Sequence, residues 1–96
     1  MSGPIAVACD PHEGGWRCTV TIGTDADATT HTVAFDRETL DDLAAGATPA
    51  RLVRTAFEFL LEREPRESIL RSFELPIISQ FFAEFADEMR RRLREP

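Results

Sequence analysis

The chain carries one predicted helix that is too apolar to bury only one of its faces, and this feature constrains the fold more than any other. Thr48 followed by Pro49 predicts the start of the helix, which we expect to continue to about Arg63. Six apolar side chains share one wide face: Leu52, Val53, Ala56, Phe57, Leu60 and Leu61. Phe59 points well away from the centre of that face. It needs separate cover, either from the last helix of the same chain or from a second chain.

The length and composition predict one folded domain. We place it at 1–96, with a strand region over 1–35 and a helical region over 36–96. Charged residues make up 29% and hydrophobic residues 43% of the chain, which argues against wholesale disorder. No apolar run approaches the roughly 18 residues of a membrane span, and the N-terminus lacks the regions of a signal peptide. We therefore expect a cytoplasmic protein that does not associate with a membrane.

Three short segments alternate inward and outward residues with the period of a β-strand: 5–9, 16–22 and 31–35. The connections between them are short and rich in turn residues, as antiparallel hairpins require. Keeping the inward residues opposite one another predicts that Cys9 faces Trp16 in the first hairpin and that Cys18 faces Phe35 in the second.

Helices are predicted for the rest of the chain. Asp36 can cap a first helix that Gly46 ends. Pro65 ends the wide apolar helix and can start a short helix containing Ile69, Leu70 and Phe73. The last helix carries a long apolar stripe: Ile78, Phe81, Phe82, Phe85, Met89 and Leu93. We therefore predict an α+β fold, in which a three-stranded antiparallel β-meander is followed by three to four helices packed on one face of the sheet.

The apolar helical half predicts either an intramolecular core or a subunit interface. A last helix of roughly 20 residues would span about 30 Å, whereas the body should have a radius of gyration of about 12 Å. Its end could therefore project and pair with a second chain. The candidate interface residues are Phe59, Phe81, Phe85 and Met89, through which we predict a homodimer or a complex with another protein.

All cysteines and histidines lie between Cys9 and His31, which raises the question of a metal site. Their spacing matches no common zinc module. The predicted register also places Cys18 and His31 four residues apart along the ladder, about 13 Å. We therefore expect no metal and no cofactor. The two cysteines would be diagonal neighbours, a poor geometry for a disulfide, so we expect thiols that pack as small hydrophobic side chains.

One loop nevertheless collects groups that could support chemistry. Cys9, Asp10, His12 and Glu13 place a nucleophile, a base and carboxylates close together in sequence, as a small thiol enzyme or a weak metal site would need. Hairpin loops also collect Asp, Pro, His and Gly for structural reasons, so a polar loop without chemistry is the other interpretation.

Four arginines form a basic end on an acidic chain: Arg90, Arg91, Arg92 and Arg94. Positive charge at a helix C-terminus is stabilising by about 0.3 to 1 kcal/mol per group. The alternatives are contacts with phosphates or with the acidic half of a neighbouring subunit. The net charge is −6, and the segment 1–48 carries eight acids against two arginines, which disfavours nucleic acid as a partner.

The segment 57–82, which opens with FEFLLEREPRESIL, resembles part of a group of small, uncharacterised bacterial proteins. The resemblance implies an N-terminal strand region, a phenylalanine-rich helix and then a Glu-Ser-Ile-Leu turn of helix. It implies no activity. The chain departs from the pattern at Ala83, where the group is expected to have proline, so we expect the last helix to run through this position unbroken.

These features predict a small cytosolic protein-interaction module, and they favour a binding protein over an enzyme. The alternatives are an enzyme or metal-binding protein that uses the loop at Cys9, Asp10, His12 and Glu13, and a nucleic-acid regulator that uses the arginine end.

Overall fold

The computed structural model describes residues 4–94 of the chain. Its sheet contains β1 (Ile5–His12), β2 (Gly15–Ile22), β3 (Thr29–Asp36) and β4 (Ser72–Glu74). Its helices are α1 (Arg37–Ala44), α2 (Pro49–Leu61), α3 (Ile78–Phe81) and α4 (Phe85–Arg94). Short 3-10 turns lie at Asp25–Asp27, Arg66–Ser68 and Leu75–Ile77. Within residues 4–94, the helices are all too short or too polar to cross a membrane.

The strands lie in the order β1-β2-β3-β4, and the fold is α+β. The antiparallel meander β1-β2-β3 is confirmed. β4 was not predicted, and it runs parallel to β3 with Phe73 opposite Val33. The residues between β3 and β4, which include α1 and α2, supply the crossover that a parallel pair requires.

The predicted short helix after Pro65 is wrong. Only the 3-10 turn Arg66–Ser68 forms, and Ile69 already has extended dihedral angles, with φ −77° and ψ 133°. The backbone N–H of Thr32 donates to the carbonyl oxygen of Arg71 at 2.7 Å. The segment therefore satisfies the backbone groups at the edge of β3, which a helix here would leave without these partners.

The first two helices start where the sequence predicts. The Asp36 carboxylate accepts a hydrogen bond from the backbone N–H of Thr39 at 2.9 Å, and the Thr48 hydroxyl accepts one from the N–H of Arg51 at 3.2 Å. Each bond satisfies one of the N–H groups that a helix start leaves unpaired.

Both predicted hairpin registers are wrong by two residues. Cys9 lies opposite Cys18 rather than Trp16, and Cys18 lies opposite Val33 rather than Phe35. In the first hairpin, Glu13 and Gly14 form a tight two-residue connection with φ angles of 44° and 80°, which Glu rarely adopts. Because side chains alternate with a period of two, this offset leaves every residue on its predicted face.

The changed register brings Cys9 and Cys18 together in a disulfide, which corrects the prediction of two thiols. Their Cα atoms are 4.0 Å apart, because the residues are directly opposite rather than diagonal neighbours. Disulfides persist in oxidising compartments, and the cytosol keeps thiols reduced. The bond therefore favours an oxidising environment, and the cytoplasmic location stays a prediction.

The core lies between the inner face of the sheet and the helices. Cys18, Val20, Ile22 and Val33 of the sheet are completely buried. The wide face of α2 packs against them: Leu52, Val53, Ala56, Phe57 and Leu60 are buried, and Leu61 is half-buried.

Phe59 is covered by its own chain and is completely buried. The rings of Phe82 and Phe85 meet it edge-on, with centroids 5.8 and 5.3 Å away. The Arg63 guanidinium lies 3.6 Å from the ring centroid, a cation–π contact. The last helical segment of the same chain therefore covers the second face of α2.

The predicted unbroken last helix is wrong. α3 ends at Phe81, and Phe82 is extended with φ −134° and ψ 98° before α4 begins at Phe85. The bend lets α4 pack against both α1 and α2. The described chain has a radius of gyration of 12.5 Å, close to the roughly 12 Å expected of a compact body, so this end does not project.

His31 ties the segment before β4 to the sheet and is completely buried. Its Nδ1 donates to the carbonyl oxygen of Leu70 at 2.8 Å, and its Nε2 lies 3.0 Å from the Thr29 hydroxyl. A carbonyl can only accept, so Nδ1 carries a proton, and the Thr29 hydroxyl provides the hydrogen-bond partner of Nε2. The imidazole therefore has a structural role at this position.

Reducing the Cys9–Cys18 disulfide should lower the free energy of unfolding. The two residues are nine apart in sequence, and closing a loop of that size restricts the unfolded chain by about 2 to 3 kcal/mol. Urea denaturation with and without reductant measures the change. The matched control is the Cys9→Ala/Cys18→Ala double variant, whose stability should not respond to reductant. If the protein, unfolded without reductant, reacts with an alkylating reagent at two thiols, the disulfide is absent and the prediction is contradicted.

Candidate functional site

The loop at Cys9, Asp10, His12 and Glu13 does not present the nucleophile that its sequence suggested. The Cys9 sulfur is bonded to Cys18, so it cannot serve as a thiolate nucleophile or metal ligand while the disulfide is intact. Asp10 is exposed and pairs in register with Arg17 on β2. Glu13 occupies the turn, and its side chain is 83% exposed.

His12 has two polar neighbours that compete for one nitrogen. Its Nε2 lies 3.0 Å from a guanidinium nitrogen of Arg17 and 2.9 Å from a carboxylate oxygen of Glu13. Nε2 can accept from Arg17 or donate to Glu13, but it cannot do both at once. Among the described residues there is also no group of three or more His, Cys, Asp or Glu side chains that could hold a metal ion. A polar hairpin loop accounts for these contacts.

The arginine end of α4 is largely neutralised by acids of the same chain. Arg90 contacts both carboxylate oxygens of Asp42 at 3.1 and 3.0 Å, which joins α4 to the α1 helix of the acidic half. Arg92 reaches the two carboxylate oxygens of Glu62 at 3.0 and 2.7 Å, and Arg91 pairs with Glu88. Arg94 alone of the four has no ion-pair partner between residues 4 and 94.

These ion pairs lower the pKa values of the acids and raise the pKa of the arginine. Hydrogen bonds from Arg92 hold the pKa of Glu62 below its ordinary value, and those from Arg91 and Arg92 do the same for Glu88. The hydrogen bonds with Glu62 raise the pKa of Arg92. Arg90 therefore joins α4 to α1 and Arg92 joins it to the C-cap of α2, while Arg91 pairs within α4. Little unpaired positive charge is left at this end for phosphates.

Within residues 4–94, the exposed large apolar side chains lie at a cleft between the end of α2, the segment leading into β4, and α3. We call it the apolar cleft. Its volume is about 340 Å³. Ten residues line it: Leu60, Glu64, Ser68, Ile69, Leu70, Phe73, Ile77, Ile78, Phe81 and Phe82.

Two large side chains stand exposed at the apolar cleft. Phe81 is 67% exposed and Leu70 is 50% exposed, and they are the exposed large hydrophobic residues within the described chain. Ile69 and Ile78, which also line the cleft, are buried. The His31 bond to the Leu70 carbonyl holds one wall in place, while the end of α3 at Phe81 positions the other.

The four predicted interface residues separate into two environments. Phe59, Phe85 and Met89 are completely buried in the chain's own core, so they offer no surface to a partner in this conformation. Phe81 is exposed at the apolar cleft. Of the four residues, Phe81 is therefore the one that can contact a partner in this conformation.

Sequence reasoning missed Leu70 as a cleft residue because it predicted a short helix containing Ile69, Leu70 and Phe73. It missed Glu64 because the other walls of the cleft come from later segments of the chain. A signal was present, since Phe73 and Leu75 alternate with Ser72 and Glu74 in the manner of a strand. A strand there would have left Leu70 near an exposed sheet edge.

Replacing Glu62 with Gln should destabilise the fold more at neutral than at acid pH. The pKa of Glu62 is lowered on folding from its ordinary value of 4.5, so its contribution is present above that pH and disappears as the pH falls through the folded-state value. Denaturation near pH 7 and near pH 3 should show a decrease in the free energy of unfolding that is larger at the higher pH. Salt should reduce this decrease, because the carboxylate is half exposed and its ion pair is screened.

Glu58→Gln is the matched control, because Glu58 lies one turn earlier on α2 and forms no ion pair with another described residue. Its effect should be small and similar at both pH values. An equal loss for Glu62→Gln at both pH values would contradict a stabilising ion pair with Arg92.

No known protein family, curated protein or solved structure matches this chain. The likeness of the segment 57–82 to small bacterial proteins therefore stays a prediction. The contacts of the chain itself are the basis on which its function can be inferred.

Proposed function

We propose that this chain is a non-enzymatic protein-interaction module whose docking site is the apolar cleft. The observation that carries the proposal is the exposure of Phe81 and Leu70 beside a concave apolar surface. Burying a side chain such as Leu or Phe stabilises by about 1.5 to 3 kcal/mol. Two such side chains left exposed around one cleft are typical of a surface that a partner covers.

The chemistry of the lining favours a protein partner over a substrate. Glu64 and Ser68 supply its polar side chains, and the other eight residues are apolar. An active site needs converging acids, bases or nucleophiles, and one carboxylate with one hydroxyl does not make such a group. Aromatic side chains in a cleft are, in contrast, the anchors that dominate many protein interfaces.

The other two predicted functions have less support. An enzyme at the hairpin loop would lack the thiolate of Cys9 while the disulfide is intact. A nucleic-acid regulator would need arginines that Asp42, Glu62 and Glu88 already engage. The partner of the module is a second copy of the chain or another protein.

Site-specific photo-crosslinking tests the docking site even while the partner is unidentified. A photoreactive phenylalanine analogue at Phe81 should form covalent adducts in the cells that produce the protein, because a partner covers this side chain. The same analogue at Thr19 is the matched control, since Thr19 is exposed on the opposite, outer face of the sheet.

Adducts at Phe81 that are absent at Thr19 would support the docking site. No adduct at Phe81, or equal adducts at both positions, would contradict it. Thermal denaturation of both substituted proteins verifies that each remains folded.

A further inference from the structure

We infer that the occupant of the apolar cleft is a second copy of this chain, bound about a two-fold axis with reciprocal Glu64–Arg71 ion pairs. The inference rests on the proposed function, because it names the partner of the same docking site. In this dimer, Phe81 of each copy enters the cleft of the other.

The surface has the self-complementary shape that such a dimer needs. A two-fold interface presents the same patch on both subunits, so the patch must contain both a projection and a hollow. Phe81, at 67% exposure, is the projection, and the cleft of about 340 Å³ is the hollow. Leu70 supplies further apolar surface that the same docking covers.

The charges around the cleft are also self-complementary. Glu64 is a half-buried lining residue, and its carboxylate has no hydrogen bond or ion pair with any residue in 4–94. Arg71 directly follows Leu70 and is exposed, and its guanidinium likewise has no partner in that range. One unpaired acid thus lines the cleft, and one unpaired base directly follows a lining residue in the chain. A two-fold rotation that joins two copies at the cleft can place each opposite its counterpart in the other copy.

The other charged residues of the segment 63–71 are paired within the chain. Arg63 pairs with Glu84 at 3.3 Å, and Arg66 pairs with Glu67 at 3.4 Å. The acids and arginines of this region are therefore mostly matched within the chain. Glu64 and Arg71 remain, although a carboxylate beside apolar surface is stabilised by an opposite charge.

The net charge of the chain and the size of the cleft surface determine how tightly we expect the two copies to bind. Two copies with a charge of −6 each repel one another, but the segment 63–71 carries three arginines and two glutamates, so the patch itself is not acidic. Ten residues line the cleft, compared with about 20 to 30 on each side of a standard interface. We therefore expect a reversible dimer that dissociates on dilution.

Sedimentation equilibrium of the wild-type protein tests the second copy directly. Between about 1 µM and about 1 mM, the range in which small interfaces associate, the average mass should rise from 10.8 kDa towards twice that value. A constant mass of 10.8 kDa over the whole range would overturn the inference. Photo-crosslinks from Phe81 to a different protein would then still support the docking site.

A charge exchange tests the reciprocal ion pairs. Glu64→Arg and Arg71→Glu should each remain monomeric, because each places like charges opposite one another in the two-fold dimer. An equimolar mixture of the two variants should recover the dimer, since both pairs between unlike chains are then attractive. Arg54→Glu is the matched control. Arg54 is exposed on α2, and neither it nor its sequence neighbours Val53 and Thr55 line the cleft, so this variant should dimerise like the wild type.

If the single variants dimerise as well as the wild type, or if the mixture stays monomeric, the Glu64–Arg71 pairing is wrong. Circular dichroism spectra verify that both charge variants are folded. Sedimentation equilibrium of the wild-type protein tests whether a second copy binds at all, independently of either variant.

Discussion

The burial of Phe59 is the constraint on which the rest of the helical half depends. α2 packs one wide apolar face on the sheet and still carries a phenylalanine on its other side, so a second layer has to form. The rings of Phe82 and Phe85 form that layer through edge contacts with Phe59, and the Arg63 guanidinium packs over the Phe59 ring. The bend between α3 and α4 then turns α4 across α1, where Arg90 and Arg92 hold it by ion pairs to Asp42 and Glu62. The same bend leaves Phe81 outside the core.

Much of the fold could be predicted because the signals were local. Caps at Asp36 and Thr48 and the alternation of the first three strands each depend on a few neighbouring residues. The disulfide could not be predicted, because its register depends on a turn in which Glu13 adopts a positive φ. Residues 72–74 alternate as a strand does, but the place of β4 in the sheet could not be predicted, because it depends on the free edge of β3, more than thirty residues earlier.

The candidate site was only partly accessible to sequence reasoning for the same reason. The apolar stripe of the last helix correctly drew attention to Phe81, but it grouped this residue with Phe85 and Met89, which are buried. A straight helix cannot distinguish them, since the difference arises from the bend at Phe82. Leu70 and Glu64 join Phe81 only through the tertiary fold, with His31 holding the Leu70 backbone in place.

Phe59 is covered within the chain, whereas Phe81 is exposed. We propose that a partner covers Phe81 and infer that this partner is a second copy. An isotope-filtered nuclear Overhauser experiment on an equimolar mixture of labelled and unlabelled protein, at a concentration that favours the dimer, tests both halves of this claim together. We expect intermolecular contacts from the ring of Phe81 and only intramolecular contacts from the ring of Phe59. Intermolecular contacts at Phe59, or none at Phe81, would contradict the claim.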